Sequence, residues 1–322
     1  MPLDARARRF LDTLAAMNPP SALSLTPQER RHALAQLLSF CGTPESVGSV
    51  SELTMPGPDG PLSARAYTPH DAPEGAILPG LIYFHGGGLV AGTLDTHDPI
   101  CRSLANASGC RVVSVDYRLA PEFPFPAAVA DGRTAARWVS THSHELGIDA
   151  ARVGLCGDSA GATLAAVVCQ LMTAAREGAV AFQFLLCPIM DFAAESASRR
   201  TLAQGYLVDR DTLEHDLKHY LSANADRADP RISPLRAADL RGLPPAVIHT
   251  AEFDPLRDEG QAYAERLKNA GVQTIYRCHP GMIHLFYGLG GLIAYAGAAF
   301  ALMGADIRSL LASAKDRRGD TE

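Results

Sequence analysis

Short apolar runs alternate with helix-forming segments through the middle of the chain, and this alternation restricts the folds that the sequence can adopt. The runs are continuous rather than interleaved with polar residues, which is typical of strands covered on both faces. Successive strand–helix–strand units favour parallel pairing through right-handed crossovers, and therefore a doubly wound α/β sheet. Strands are predicted at residues 80–84, 110–115, 152–156, 182–187, 246–250 and 272–277. Helices are predicted at residues 99–108, 127–142, 160–176 and 257–270.

Two segments fall outside this alternation and are predicted to form a helical cap. The first has helical patterns at 5–17 and 27–40 without a strand, and the second is a polar, helical insertion. Ligands of open α/β folds bind beyond the carboxyl ends of the strands, where we expect such a cap to lie. The predicted cap comprises residues 1–50 and 192–240, and the predicted catalytic domain comprises residues 51–191 and 241–322.

The composition indicates a soluble globular chain that does not bind nucleic acid. The chain has 322 residues and a net charge of -6 at pH 7, and its Lys and Arg residues are scattered along the sequence. Phosphate binding needs a concentrated positive surface, so nucleic acid is not an expected partner. The seven cysteines show no metal-ligand spacing, and we favour a reduced, cytoplasmic chain over one with a catalytic cysteine.

An uncharged stretch at residues 285–305 is long enough to span a bilayer. Glycines such as Gly297 and Gly304 interrupt it, and Ile307 and Leu310 continue an apolar helix face beyond it. We therefore predict a closing amphipathic helix and no stable membrane insertion. The N-terminus shows no pattern of a signal peptide.

The motif GDSAG at residues 157–161 follows a predicted strand and opens the next helix. Glycines on both sides of Ser159 leave room for a strained strand-to-helix turn. Such a turn lifts the hydroxyl above the sheet and places it at the positive end of a helix. A glycine-rich helix start without a catalytic role is the alternative, but the strand–turn–helix context favours a nucleophile.

The motif HGGG at residues 85–88 also follows directly after a predicted strand. Its glycines allow backbone N–H groups to approach a substrate carbonyl oxygen, and together with the N–H of Ala160 they would form an oxyanion hole. A phosphate-binding loop is the competing interpretation. It is disfavoured because neither a P-loop lysine nor GxGxxG spacing is present.

A carboxylate and an imidazole follow the last two predicted strands. Asp254 comes after the strand at 246–250, and His284 comes after the strand at 272–277. The order Ser, Asp, His, with each residue after a strand, is that of the α/β hydrolases. The sequence therefore predicts a triad of Ser159, Asp254 and His284.

His279 is the competing candidate for the base, but the turn expected at Gly281 favours His284. Most of the eleven histidines must have other roles. Those in polar helical surroundings are predicted to be solvated, namely His32, His142, His144, His215 and His219.

Taken together, these motifs resemble the hormone-sensitive-lipase family of esterases, also called bacterial family IV. The resemblance extends from about residue 60 to residue 305 and is carried by HGGG at 85–88, DYRLAPE at 116–122, GDSAG at 157–161, DPLRDEG at 254–260 and the loop that contains His284. It implies an eight-stranded, mostly parallel sheet with a helical cap. It also implies hydrolysis of carboxylic esters without a cofactor or a metal.

The resemblance also implies a role for individual residues. Ser159 would be the nucleophile, and Asp254 and His284 would complete the triad. In the oxyanion hole, Gly87, Gly88 and Ala160 would supply the N–H groups, with Gly86 as a neighbour. His85 would brace the loop rather than react. The chain departs from the family at Leu89, where an aromatic residue is frequent, and at Leu285, where glycine is usual.

The predicted function is that of a serine carboxylesterase acting through an acyl-enzyme on small-molecule esters. No long amphipathic lid is visible, which favours short- to medium-chain esters over long-chain ones. Hydrolysis of amides or lactones by the same residues stays open, whereas a non-catalytic receptor is disfavoured because all three triad residues are present. A homodimer that pairs at the sheet edge near the last strand is a further expectation.

Overall fold

The computed structural model describes residues 1–178 and 180–319, and for residues 313–319 it describes the backbone. The described residues form one sheet with helices on both faces. The strands are β1 (Ser49–Gly57), β2 (Gly60–Thr68), β3 (Leu78–Phe84), β4 (Arg111–Val115), β5 (Ile148–Asp158), β6 (Phe182–Leu186), β7 (Ala246–Phe253) and β8 (Thr274–Ile283). The helices are α1 (Ala5–Ala16), α2 (Pro27–Leu38), α3 (Leu94–Ser108), α4 (Ala127–Thr141), α5 (Ala160–Ala175), α6 (Ala197–Thr201), α7 (Arg210–Tyr220), α8 (Arg257–Asn269) and α9 (Tyr295–Gly319).

The sheet has eight strands in the order β1-β2-β4-β3-β5-β6-β7-β8. The pairings β1–β2 and β2–β4 are antiparallel, and the others are parallel. Parallel strands from β4 to β8 place their carboxyl ends at one edge, which is where ligands bind in folds of this kind. The predicted fold class, a mostly parallel α/β sheet, is confirmed.

Each central strand contributes to a hydrophobic core on both sides of the sheet. In β3, Ile82 and Phe84 join one core, and Leu81 and Tyr83 join the other. Helices α4, α5 and α8 cover the first core, while α3 and α9 cover the second. Because successive side chains point to opposite faces, a strand covered on both sides is apolar at most of its positions.

The predicted helices are all present, with small differences at their ends. Helix α2 begins after Thr26, whose side chain accepts from the Glu29 N–H while the Glu29 carboxylate accepts from the Thr26 N–H. Helix α8 is followed by Gly271 at a φ of +78°, a left-handed position suited to glycine. Helix α3 begins at Leu94, earlier than predicted, because Thr93 caps it.

The β1–β2 hairpin was not predicted from the sequence. Only Met55 of β1 is fully buried, and Pro56 interrupts the strand pattern. The pairing instead depends on β2, whose Leu62 and Ala64 contribute to the core and which joins β4. The predicted boundary at residue 50 consequently falls within β1.

The N-terminal segment and the insertion contact each other. The Arg30 side chain of α2 forms an ion pair with Asp216 of α7, with an Nη2–Oδ2 distance of 2.9 Å. His215 Nε2 lies 3.1 Å from the Leu25 carbonyl oxygen. The prediction that His215 is solvated is therefore wrong, because the ring is buried where these two segments meet.

The closing helix α9 begins at Tyr295, after a short 3₁₀ turn at Phe286–Gly288. Ile307 and Leu310 are buried on its apolar face, as predicted. Among the residues that the structure describes, none of the helices combines the length and hydropathy that a bilayer-spanning helix requires.

Candidate active site

The turn between β5 and α5 positions Ser159 with a strained backbone. Its φ is 52° and its ψ is -122°, an unfavourable region for a residue with a Cβ, at a cost of about 1–3 kcal/mol. The turn is fixed because the Ser159 N–H donates to the Leu186 carbonyl oxygen at 2.8 Å. A Cβ on Gly161 would overlap the Phe84 carbonyl oxygen, so glycine is required beside the turn.

Ser159, His284 and Asp254 form a continuous hydrogen-bonded relay. The distance from His284 Nε2 to Ser159 Oγ is 3.1 Å, and that from His284 Nδ1 to Asp254 Oδ2 is 2.7 Å. Asp254 directly follows β7 and His284 directly follows β8, so parallel pairing brings the two residues together. The other Asp254 oxygen accepts from the Leu256 N–H at 2.8 Å, which fixes the carboxylate.

Burial and charge act in opposite directions on the His284 imidazole. Burial alone would lower the pKa of His284, but the negative charge and hydrogen bond of Asp254, together with the charge of Asp158, raise the pKa above its ordinary value. This arrangement stabilises an imidazolium, which is the form that the ring takes when it accepts a proton.

Leu285 adopts a left-handed conformation directly after His284, with φ at 61° and ψ at 11°. Glycine, the usual residue here in the family that the motifs resemble, would adopt this conformation without strain. The Leu285 side chain is buried in the core beneath α9, and its packing offsets the strain.

The HGGG loop lies beside Ser159 and presents backbone N–H groups. The Gly86 N–H donates to Asp158 Oδ1 at 2.7 Å, so it is already engaged and Gly86 is a neighbour of the loop donors. Gly87 and Gly88 have φ values of 116° and 68°. Within the described part of the chain, the N–H groups of Gly87, Gly88 and Ala160 donate no hydrogen bond.

Asp158 is a buried carboxylate at the centre of the site that the sequence did not reveal. Tyr83 donates its hydroxyl to Oδ1 at 2.5 Å, and Tyr287 donates to Oδ2 at 3.0 Å. Burial favours the neutral acid, but the charge and hydrogen bonding of His97 and the two tyrosine hydroxyls lower the pKa of Asp158 to about 2. The sequence feature that could have identified Asp158 is an acidic residue at the end of an apolar strand.

His85 and His279 have hydrogen-bond partners other than the Ser159 hydroxyl. His85 stacks on Tyr117 with ring centroids 4.4 Å apart, and burial together with His97 lowers the pKa of His85 to about 3. His279 Nε2 lies 3.0 Å from His249 Nδ1, on the side of the sheet covered by α9. The expectation that His85 braces the loop agrees with the Tyr117 hydroxyl bond to its carbonyl oxygen at 2.6 Å.

A cavity of about 250 Å³ opens above Ser159 and His284. Its walls come from the N-terminal segment and from the insertion, and they are mainly apolar. The apolar side chains include Leu25, Leu34, Leu37, Phe192, Leu213 and Leu217. Such a cavity fits a small organic ligand whose reactive group lies at the polar floor.

Among the described residues, one group brings three potential metal ligands together. Cys187 Sγ, one oxygen of Asp254 and one ring nitrogen of His284 lie within 4.8 Å of one another. His284 and Asp254 already bind each other, and burial raises the pKa of the Cys187 thiol well above its ordinary value. The group is therefore suited to a hydrogen-bonded relay rather than to a cation.

A hydroxyl, an imidazole and a carboxylate at the carboxyl edge of a parallel sheet, in this chain order, define the α/β-hydrolase class. Residues 81–288 match a family model described as alpha/beta hydrolase fold. The chain belongs to this family, and the predicted resemblance to the hormone-sensitive-lipase type is confirmed.

Several relatives and solved structures are similar to this chain over most of its length. The ethyl acetate hydrolase of Pseudomonas putida is 37% identical over 82% of this chain and 84% of its own length. The carboxylic ester hydrolase LipN of Mycobacterium tuberculosis is 44% identical over 74% of this chain, and the match spans 65% of that relative. A crystal structure of an alpha/beta hydrolase enzyme from the metagenome of Lake Arreo has a TM-score of 0.93, with 40% identity over 96% of this chain and 99% of that one.

Proposed function

We propose that this chain is a serine carboxylesterase in which Ser159 is the nucleophile, His284 the general base and Asp254 the residue that orients the base. The predicted class, a carboxylic ester hydrolase, is confirmed at the level of the family and its named relatives. The observation that supports the individual roles is the relay of 3.1 Å and 2.7 Å from the Ser159 hydroxyl to the Asp254 carboxylate.

The reaction proceeds in two acyl-transfer steps. Ser159 Oγ attacks the ester carbonyl carbon while His284 Nε2 accepts the hydroxyl proton, and the carbonyl oxygen becomes an oxyanion. His284 then gives the proton to the leaving alcohol, and the acyl-enzyme remains. Water attacks the acyl-enzyme with His284 again as base, and the acid leaves as the proton returns to Ser159. Asp254 holds the imidazole orientation and stabilises its positive charge throughout.

The oxyanion is stabilised by the N–H groups of Gly87, Gly88 and Ala160, which have no acceptor among the described residues. Gly86 has a different role, because its N–H is bonded to Asp158. Loss of one oxyanion donor costs about 3–4 kcal/mol of transition-state stabilisation in enzymes of this kind. The glycines keep side chains out of the space where the oxyanion forms.

The preferred substrates are esters with short to medium acyl chains. The cavity of about 250 Å³ is small and mainly apolar, so a long acyl chain exceeds the space that is available to it. Hydrolysis rates of p-nitrophenyl esters should peak below about twelve carbons, since each buried CH₂ contributes only about 0.8 kcal/mol until the space is filled. A maximum at longer chains would contradict this preference. Matched amides and lactones in the same assay would show whether the same residues cleave them.

Residues 1–48 and 192–240 act as a cap over a catalytic domain formed by residues 49–191 and 241–322, since the predicted boundary at residue 50 falls inside β1. Support comes from the cavity walls, which combine Leu25 and Leu34 of the first segment with Leu213 and Leu217 of the second. The ion pair between Arg30 and Asp216 connects the two segments. A cap of this composition would set the range of substrates, while the sheet carries the reacting groups.

The chain acts in the cytoplasm, where its cysteines stay reduced. All seven cysteines lie among the described residues and are free thiols. A homodimer would form through β8, an edge strand of the sheet. Cell fractionation tests the location, and light scattering of the purified protein tests the dimer.

Labelling with an organophosphonate ester, followed by mapping of the modified peptide, tests the assignment of the nucleophile. We expect one adduct per chain, on Ser159. Hydrolysis of p-nitrophenyl acetate should be lost at the same rate as the adduct forms. Ser159→Ala should fold normally and lose both the label and turnover. An adduct on another residue, or substantial turnover by the variant, would refute the assignment.

A further inference from the structure

A buried ion pair lies on the cap side of the oxyanion loop. Arg30 Nε donates to Asp216 Oδ1 at 3.1 Å, and Arg30 Nη2 donates to Oδ2 at 2.9 Å. The two side chains are only 13% and 8% exposed. Both line the cavity that contains Ser159, whose other walls are mainly apolar.

Asp216 lies directly against Gly88. A Cβ placed on Gly88 would overlap the Asp216 carboxylate, and the φ of Gly88 is +68°. The carboxylate therefore packs on the backbone of a residue whose N–H is a proposed oxyanion donor. Any side chain at position 88 would push α7 away from the loop.

A carboxylate in this position carries an electrostatic cost for the proposed reaction. Negative charge close to a developing oxyanion opposes the transition state, and the effect is strong in a site with little water. Arg30 supplies the compensating charge through two parallel hydrogen bonds. His215 Nδ1, 3.0 Å from Asp216 Oδ1, adds positive charge only when it is protonated.

The neighbouring arginine of α2 is engaged elsewhere. Arg31 forms an ion pair with Glu122 and donates to the carbonyl oxygens of Val90 and Ala120. It is therefore committed to a different contact and cannot replace Arg30 without breaking that contact. Arg30 is thus the permanent cation bonded to Asp216 in the described part of the chain.

We propose that Arg30 and Asp216 are positioning residues of the oxyanion hole. Asp216 supports Gly88 from the cap side, and Arg30 neutralises the carboxylate that does so. The inference rests on the proposed function, because it assigns a task to the cap in that same reaction. The proposal predicts that Arg30 is needed for a normal kcat chiefly because Asp216 carries a negative charge beside Gly88.

Steady-state kinetics with p-nitrophenyl butyrate test the proposed roles of the two residues. Four variants are compared with wild type: Arg30→Gln, Arg30→Lys, Asp216→Asn and the double variant Arg30→Gln/Asp216→Asn. Arg30→Gln should lower kcat about tenfold or more, because it leaves a charged carboxylate beside the oxyanion. Arg30→Lys keeps the charge and should recover most of kcat. Asp216→Asn keeps the side-chain packing on Gly88 and removes only the charge that Arg30 neutralises, so it should lower kcat by no more than about threefold. The double variant should reach the same kcat as Asp216→Asn, so that the second substitution rescues the first.

Thermal unfolding and phosphonate labelling of every variant separate this role from simple attachment of the cap. Arg210→Gln is the matched control: Arg210 begins α7, the helix that carries Asp216, and the substitution removes only an exposed ion pair with Glu195, so kcat should be unchanged. Equal losses in both single variants without rescue in the double variant would overturn the proposal, as would a normal kcat for Arg30→Gln. Failure of the proposed function is distinct, since wild-type protein would then carry no adduct on Ser159.

Discussion

At the scale of single residues, the environment of His284 determines how activity should depend on pH. Asp254 and Asp158 raise the pKa of His284 above its ordinary value of about 6.5. The ring accepts a proton only when neutral, so kcat/KM should fall as the pH decreases through an apparent pKa above about 6.5. A pH–rate profile with an acidic limb centred well below that value would contradict the role of His284.

Asp254→Asn gives a second pH prediction at the same site. Removal of the charge removes the largest influence that raises the pKa of His284, so the acidic limb should move to lower pH. The plateau should fall by roughly 10³- to 10⁴-fold, because the imidazolium loses its partner. The pH–rate profile of the purified variant measures both effects, and an unchanged limb would show that Asp254 does not act on His284.

Leu285 and Arg176 allow strain to be weighed against burial. Both have left-handed backbones, with φ values of 61° and 54°, but Leu285 is 6% exposed whereas Arg176 is exposed. Relief of strain by glycine contributes about 1 kcal/mol, and loss of a buried leucine costs about 2–3 kcal/mol or more. Leu285→Gly should therefore destabilise the protein, and Arg176→Gly should stabilise it slightly. Urea unfolding measures both, and a gain for Leu285→Gly would mean that strain dominates.

Single residues were predictable from the sequence where a local motif marked them. The backbone turn at Ser159 and the glycines of HGGG are local features, and the structure brings the hydroxyl within 3.1 Å of the predicted imidazole. Asp158 and His215 were missed because their environments are made by partners far away in the chain, such as Tyr287 and Leu25. A pattern in one sequence does not reveal which distant side chain will surround a polar group.

At the scale of elements, two glycines of α9 test how the closing helix packs. Gly304 faces α3, where a Cβ would overlap the Ala107 carbonyl oxygen, whereas the space around Gly297 is open. Gly297→Ala should stabilise the protein by up to about 1 kcal/mol through helix propensity. Gly304→Ala should destabilise it by about 1–3 kcal/mol, because α9 must move away from α3. Thermal unfolding compares the two, and equal effects would argue against close packing of these helices.

The elements differ in how clearly the sequence marked them. Strands β3 to β7 are predictable because most of their residues are buried on both faces of the sheet, which leaves mainly apolar runs. The β1–β2 hairpin lies at the sheet edge and is polar on its exposed side, so only its pairing with β4 makes it a strand. Helix α3 begins at Leu94, earlier than predicted, because Thr93 caps it and its first turn contains the polar residues Asp95 and Thr96, which do not continue an apolar helix pattern.

At the scale of the whole molecule, buried histidines link stability to pH. Burial lowers the pKa of His279 and His85 to about 3, and it also lowers that of His249. Because the unfolded chain binds these protons near pH 6.5, each histidine reduces stability as the pH falls below that value. Glu259 acts in the opposite direction, since burial raises its pKa to about 7 and the folded state takes up its proton first.

His279→Gln isolates one of these contributions. The variant loses the hydrogen bonds to His249 and Tyr295 and should be less stable than wild type at pH 8. The difference should shrink by roughly 1.4 kcal/mol per pH unit below about pH 6, because wild type then carries a penalty that the variant lacks. Urea unfolding from pH 8 to pH 5 measures the difference, and a gap that stays constant with pH would contradict the link.

Asp158 has a consequence for how a protein of this shape can diversify. The Asp158 carboxylate holds the loop that leads to Gly88, and the next residue, Ser159, is the proposed nucleophile. The proposed nucleophile and the proposed oxyanion donors are therefore attached to the same residue, and a displacement of one group moves the other with it. Substitutions in the cap leave the relative positions of these groups unchanged. We therefore expect the substrate range of such a protein to evolve through its cap while the residues at the edge of the sheet are retained.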